Sequence, residues 1–261
     1  MKYIFIIIIV FIGFFFSFFN NKNKIKEKLF INNKNIQIKL DFPSFIINLK
    51  ETLEGRERLP IIRSIFPNAK SFPATYGKTF NFKPYIDSVL TLKWNIGKWK
   101  NQGTKMINMT DGEKGVIMSH YNLWKIVSKS KKTHLILEDD AIGINENTSD
   151  ILNLILKNLP SDYDIYLLGY IDLKPDNIIK DHSKVKEFVL LHSYLITPTG
   201  AKKLLNNLPI NMPVDSWISS ISDKINIYRH NYGYINKKNH FYGRLIRQKR
   251  NKKQIVNTNV I

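Results

Sequence analysis

The chain has 261 residues, 43% of them hydrophobic and none of them cysteine; this leaves room for one good-sized domain or two small ones and excludes disulfides and thiolate zinc sites. The formal net charge of +19 lies at the ends, with six lysines against Glu27 alone from residue 20 to 39, and ten Lys and Arg against no acid from residue 224 onward. The stretch between is close to neutral, which argues against a nucleic-acid-binding core.

In chain order, Tyr3 to Phe19 ("YIFIIIIVFIGFFFSFF") carries no charge over 17 residues. As a helix it would span about 26 Å, close to the ~30 Å hydrocarbon core of a bilayer. No small-x-small cleavage site follows, so residues 1–19 are predicted to be an uncleaved, single-pass transmembrane signal-anchor. Lysines on both flanks leave its orientation open. Residues 20–40 read as a polar, basic stem. Two sequons, Asn108-Met109-Thr110 and Asn147-Thr148-Ser149, matter only in a secretory lumen, and an Asn-rich chain produces them by chance.

The domain proper is predicted over residues 41–223, with 224–261 a basic segment completing or flanking its site. "SFIINL" reads as a buried parallel strand. A helix follows with Leu59, Ile62 and Phe66 on one face, and Pro60 limits where it can begin. "AKSFPATYG" is a second strand running into a turn at Gly77. Lys78 to Thr110, with Trp94 and Trp99 among Lys and Asn, has no clear pattern. "DGEKGVIMSHYNLWKIVSKS" is a helix with a broad apolar stripe (Val116, Met118, Tyr121, Leu123, Trp124, Val127), Asp111 as its N-cap candidate and Glu113 in its first turn. "THLILEDD" is a central strand, "SDILNLILKNLP" an amphipathic helix, and "YDIYLLG" a strand ending at Gly169. "FVLLHSYLITPTGAKKLLNNLP" is a strand and then a helix from near Thr199. "PVDSWISSIS" is a short helix opening at Asp215, and "KINIYRH" a last strand. Alternation of this kind predicts an α/β fold with a mostly parallel central sheet.

The chemistry concentrates where "HLILEDDA" ends in Glu138, Asp139 and Asp140. In open α/β sheets, ligands bind at the carboxyl ends of strands. Two carboxylates about 4 Å apart repel by roughly 4 kcal/mol at a surface-like dielectric. Such acids therefore splay into water, take up a proton or share a cation, and Mg²⁺ or Mn²⁺ is the hard ion that suits them. The bland reading is a capped strand–helix junction with Asp140 as N-cap. On the acids alone, a phosphohydrolase, a receiver-like phosphotransfer protein and a nucleotide-sugar transferase all remain open.

The blocks "FIINLKETLEGRERL", "FPATYG", "GEKGVIMSHYNLWKIV", "HLILEDDA", "SYLITPTGAKKLL" and "PVDSW", in that order from about Phe45 to Ile218, resemble glycosyltransferase family 25. The resemblance implies a GT-A fold and a nucleotide-sugar donor, usually UDP-linked. It also implies a divalent ion and inverting transfer of galactose or glucose. The implied acceptor is a glycan, a lipid-linked glycan or a hydroxylated protein residue, with no nucleic acid as partner and membrane attachment through the N-terminal helix.

By the same resemblance, Asp140 is the metal ligand, and Asp139 or Glu138 faces the donor's ribose or sugar, with Asp139 a second candidate for the metal. Asn48, Arg56 and Arg58 are candidates for the uracil or diphosphate. Thr75 and Gly77 lie near the nucleotide, and Ser119 and His120 near donor or acceptor. Met118 and Trp124 read as core. Asp215 is the candidate general base, because an inverting transfer needs one carboxylate to take the acceptor's proton; plain N-capping fits it too. After Ile218 the match fades. His230 and His240 are candidate further metal ligands there, and Arg244, Arg247 and Lys249 candidate phosphate clamps; an anionic membrane surface is the other use for that basic tail. A catalytically silent glycan-binding protein of the same fold, or a divalent-metal phosphotransfer protein, would carry the same acids.

Overall fold

The computed structural model describes residues 36–99, 103–144, 147–175, 181–235, 239–243 and 245–248. The predicted anchor, most of the stem, Arg244 and Lys249 lie outside the described residues. Among the described residues, no helix is long and apolar enough to cross a membrane.

The elements run β1 (Ser44–Asn48), α1 (Leu53–Ile65), β2 (Lys70–Pro73), β3 (Lys93–Asn95), α2 (Ile96–Trp99), β4 (Met106–Asn108), α3 (Asp111–Val127), β5 (His134–Glu138), α4 (Thr148–Lys157), β6 (Ile165–Asp172), β7 (His182–Lys184), β8 (Phe188–Ile196), α5 (Pro198–Asn206), α6 (Val214–Ser220), β9 (Ile227–His230), β10 (Gly233–Ile235) and β11 (Phe241–Gly243). Nine strands form one sheet with the path β10-β11-β6-β8-β5-β1-β2, and β9 joins β6 with β7 beside it. β1, β2, β5, β6, β9 and β10 point one way; β7, β8 and β11 run against them. The sheet is mostly parallel in that sense, and β8 is the antiparallel strand inserted between β5 and β6. β3 and β4 make a separate hairpin that occupies the unpatterned stretch.

Alternation along the strands builds a core on each face. In β5, Ile136 joins the core that also holds Trp124, Tyr194 and Trp217. Leu135 and Leu137 join the opposite core, with Ile62 and Ile65 of α1 and Leu152 of α4. All three strand residues are fully buried, as an uninterrupted apolar run in a two-faced sheet should be.

Two helix starts, one side chain and the strand count differ from the sequence reading. α1 begins at Leu53, capped by the Thr52 hydroxyl accepting from Gly55 N, and carries Pro60 inside it. Pro60 is exposed, on the solvent side of the helix, where the hydrogen bond it removes costs least. The cap of α3 is Thr110 rather than Asp111, in a reciprocal capping box with Glu113. Val116, placed in the apolar stripe of α3, is 40% exposed. β9 is not the last strand, since β10 and β11 follow and pair back on β6.

Candidate active site

Glu138 and Asp139 turn to opposite faces at the end of β5 because successive side chains alternate, and Asp140 follows in the turn. Glu138, two residues on from Ile136, points to the α3 face. There its Oε1 lies 3.4 Å from His120 Nε2. Asp139 turns to the α1 face. Its Oδ2 accepts from Asn48 Nδ2 at 3.0 Å and Leu49 N at 3.2 Å, and its Oδ1 lies 3.3 Å from Arg58 Nη1. Asn48 Nδ2 also donates to Gly55 O at 2.7 Å. Asp139 is thus the strut that ties the β1–α1 loop to the end of β5. Asp140 follows in the turn, 8% exposed, and its Oδ1 is buried without a hydrogen-bond partner. Burial pushes the Asp140 carboxyl up to about 7, the Glu138 and Asp139 charges adding to it while Arg58 and a hydrogen bond from Gln248 oppose it.

A cleft of about 330 Å³ opens on this edge. Glu138, Asp139 and Asp140 line it, together with α3 from Asp111 to His120 and the strap from Ala74 to Lys78 packed on that helix. The strap lies close on the helix because two positions lack a side chain. A Cβ on Gly77 would stand 1.8 Å from Asp111 O, and one on Gly115 would stand 2.6 Å from Thr75 O. Ser119 secures the contact, accepting from Thr75 N at 2.8 Å and donating to Gly115 O at 2.7 Å.

Of the residues predicted to touch the donor, Thr75, Gly77, Ser119, His120, Glu138 and Asp139 line this cleft. Asn48 and Arg58 do not; they brace Asp139 from behind. Arg56 is exposed and donates to Lys50 O and Glu51 O, which fastens its own loop.

The predicted metal set of Asp140, Asp139, His230 and His240 is not gathered in one place. Among the described residues, no group of three or more His, Asp or Glu side chains is placed to hold a metal ion. His230 is 1% exposed, its Nε2 donates to Leu168 O and its Nδ1 accepts from Tyr232 N. With β6 and β8 between it and β5, it lies three strand spacings from the acids, ~14 Å. Burial holds its imidazole down at about 4, so it stays neutral. His240 leads into β11, also three strands from β5, and does not line the cleft. Arg247 is drawn to Gly143, exchanging backbone hydrogen bonds with it at 2.9 and 3.0 Å. That pairing brings Gln248 to Asp140.

Asp215 comes close enough to Glu138 to feel its charge. Its Oδ2 accepts from Leu190 N at 2.8 Å and its Oδ1 from Ser216 N at 2.7 Å. Burial raises its pKa, the Glu138 charge adds to the rise, and the two amides oppose it. Leu190 holds a left-handed φ of 72° to deliver that amide, a backbone state that a branched-chain residue adopts only under constraint.

Sequence reasoning passed over Tyr194 and Gln248. Tyr194 reads from the sequence as one more aromatic residue of a buried strand. Nothing local pointed to Gln248, because only the return of the chain past β6 places it.

An α/β sheet whose central strand delivers acids to a cleft at its carboxyl edge has that cleft where sheets of this class bind their ligands. Comparison with known sequences narrows the class. The profile of glycosyltransferase family 25 (LPS biosynthesis protein) matches residues 42–218, and the chain belongs to that family. Procollagen galactosyltransferase 1-A of Xenopus laevis is 30% identical over 196 residues, covering 69% of this chain and 31% of its own length. A glycosyltransferase 25 family member of Drosophila melanogaster is 31% identical over 197 residues, covering 69% and 30%. A probable inactive glycosyltransferase 25 family member 3 of Rattus norvegicus is 25% identical over 127 residues, covering 44% and 22%. The chain thus spans about a third of the length of the first two relatives.

Proposed function

We propose that the chain is a GT-A-type hexosyltransferase. It takes galactose or glucose from a UDP-sugar and passes it, with inversion, to a hydroxyl of a glycan, a lipid-linked glycan or a hydroxylated protein residue. The observation that carries this reading is the Asp140 oxygen, buried and without a partner at the lining of a cleft within the family-matched span. A hard divalent ion commonly takes one or two carboxylates from the protein and completes its shell with water and substrate phosphates. Asp140, with Asp139 already committed to Asn48, Leu49 and Arg58, fits that sparse donor set. When bound there, Mg²⁺ or Mn²⁺ supplies positive charge next to the departing diphosphate.

The chain's own residues do the rest. The strap and α3, held together by Thr75 and Ser119, form the side of the cleft against which the donor lies. Glu138, with an oxygen turned to the cleft, accepts hydrogen bonds from donor hydroxyls. The acceptor oxygen attacks the anomeric carbon opposite the leaving UDP, and Asp215 takes its proton. A carboxylate raised by burial is suited to that task, because its basicity is closer to working pH. The UDP–sugar bond breaks as the new glycosidic bond forms, so atoms and charge balance in one displacement.

The test is turnover of a panel of UDP-hexoses by the full chain in detergent, with and without Mn²⁺, against free galactosides and hydroxylysine peptides. Metal-stimulated release of UDP, abolished by Asp140→Asn, supports the reading. Failure to bind or cleave any UDP-hexose would instead favour the silent binding protein, a reading for which the relative named as probable inactive gives a precedent.

A further inference from the structure

Behind Glu138 runs a buried polar chain that the proposed chemistry does not use. Trp124 Nε1 lies 3.0 Å from Tyr194 Oη, Tyr194 Oη lies 2.9 Å from His120 Nδ1, and His120 Nε2 faces Glu138 Oε1 at 3.4 Å. Trp124, Tyr194 and His120 are each fully buried, and Trp124 is itself stacked on Trp217 with ring centroids 6.0 Å apart. Trp124, Tyr194 and His120 lie in line through an apolar core where buried polar groups are hydrogen-bonded, and Glu138 meets the cleft at the open end.

Their donor and acceptor capacities allow one arrangement. An indole N–H only donates, so Tyr194 Oη accepts from Trp124. Burial raises the Tyr194 phenol well above its ordinary range, so it keeps its own proton. That proton has His120 Nδ1 as its acceptor. Nδ1 is therefore bare, and the imidazole carries its hydrogen on Nε2, the nitrogen that faces a carboxylate. The opposite tautomer would set a lone pair against Glu138 and leave the tyrosine hydrogen without an acceptor. Its cost would fall on buried groups, where an unmade hydrogen bond is most expensive.

We infer that Tyr194 is a positioning residue for the donor site: backed by Trp124, it fixes His120 as the Nε2–H tautomer, and His120 pins one oxygen of Glu138 so that the carboxylate presents a fixed face to the donor sugar. The side chain of Glu138 is 24% exposed against 1% for His120, so one end of the relay is dry and the other meets the cleft. No proton moves along it. This inference rests on the transferase reading for the identity of what Glu138 meets, but not for the relay itself.

The experiment uses the full ¹⁵N-labelled chain in detergent micelles at pH 8, above the ordinary imidazole range, with His120→Gln locating the His120 signals. The wild type should show a protonated Nε2 and a bare Nδ1. Tyr194→Phe removes the hydrogen bonded to Nδ1 and should shift the Nδ1 signal, and Glu138→Gln should shift Nε2 while leaving Nδ1 bare. With UDP-galactose or UDP-glucose as donor, Tyr194→Phe and Glu138→Gln should each raise donor KM ~10-fold with kcat held within ~2-fold. The double variant should be no worse than the poorer single, the mark of residues acting through one another. Trp124→Phe, which spares the tyrosine, should move the same readouts in the same direction and serves if Tyr194→Phe fails to fold. A proton on Nδ1 in the wild type overturns the inference, as do multiplying effects in the double variant or an unchanged KM in Tyr194→Phe. If no UDP-hexose turns over, the transferase reading falls, and the imidazole signals still decide the relay.

Discussion

Asp140→Asn should separate stability from function in a pH-dependent way. The wild-type carboxyl is pushed from an ordinary value of 3.8 up to about 7. Between those values the folded chain holds a proton that the unfolded chain has released. Stability therefore falls as pH rises from about 4 to about 7 and is level above that. A displacement of roughly 3 pH units corresponds to about 4 kcal/mol. Asparagine cannot ionise, so the variant escapes this loss. The two proteins should melt together near pH 4, and at pH 8 without divalent ions the variant should melt higher by ~10 °C, given ~2–4 °C per kcal/mol for a chain of this size. Millimolar Mn²⁺ at pH 8 should raise the wild type and leave the variant alone, because only an ionised carboxylate gains from the ion. Tryptophan-fluorescence melts at pH 4.5, 6, 7 and 8 read all of this. A variant that is less stable at pH 8, or an offset that is the same at every pH, would refute the reasoning.

Two further outcomes follow from packing. Gly77→Ala places a Cβ 1.8 Å from Asp111 O, so the strap must lift from α3; overpacking of this kind costs ~1–3 kcal/mol, and melts should fall modestly while UDP affinity, read by titration calorimetry, falls more. Asp172→Ala strips the partner from Arg229, whose Nε donates to Asp172 at 2.7 Å with both side chains buried; an uncompensated buried charge costs ~3–5 kcal/mol, so the melt should drop by ~10 °C, and a smaller drop on Asp172→Asn would separate charge from hydrogen bonding.

Much of this architecture was legible from the residues. The run from Leu135 to Leu137 predicted a strand buried on both faces, and the acids after it predicted a site at the sheet's edge. What local pattern did not carry was which acid does what. That depends on pleat parity: Glu138 shares a face with Ile136 and so meets α3, whereas Asp139 turns toward α1 and is consumed by Asn48 and Arg58. Pro60 misled because a proline's cost in a helix depends on whether the carbonyl it orphans is solvated, and exposure is a tertiary property. Asn48 and Arg58 drew notice for the right neighbourhood, yet they serve the acid rather than the cleft. His230 was a candidate ligand because the family resemblance implies a further ligand, frequently a histidine, from this end of the chain. The sheet order, with β9 on the far side of β6, could not be read from spacing, and it sets that ring among backbone groups. Tyr194 was hidden for the opposite reason, since an aromatic residue in a core strand looks like packing until its hydroxyl is seen to meet Trp124 and His120.

The most direct measurement of the central claim is calorimetric titration of UDP into the full chain, with and without Mn²⁺, for wild type and Asp140→Asn at pH 7.5. Binding should require the ion in the wild type and weaken ~100-fold in the variant, at the upper end of the ~10–100-fold that loss of even an outer-shell partner costs a metal site. Ion-independent binding by the wild type, or undiminished ion-dependent binding by Asp140→Asn, would contradict that claim.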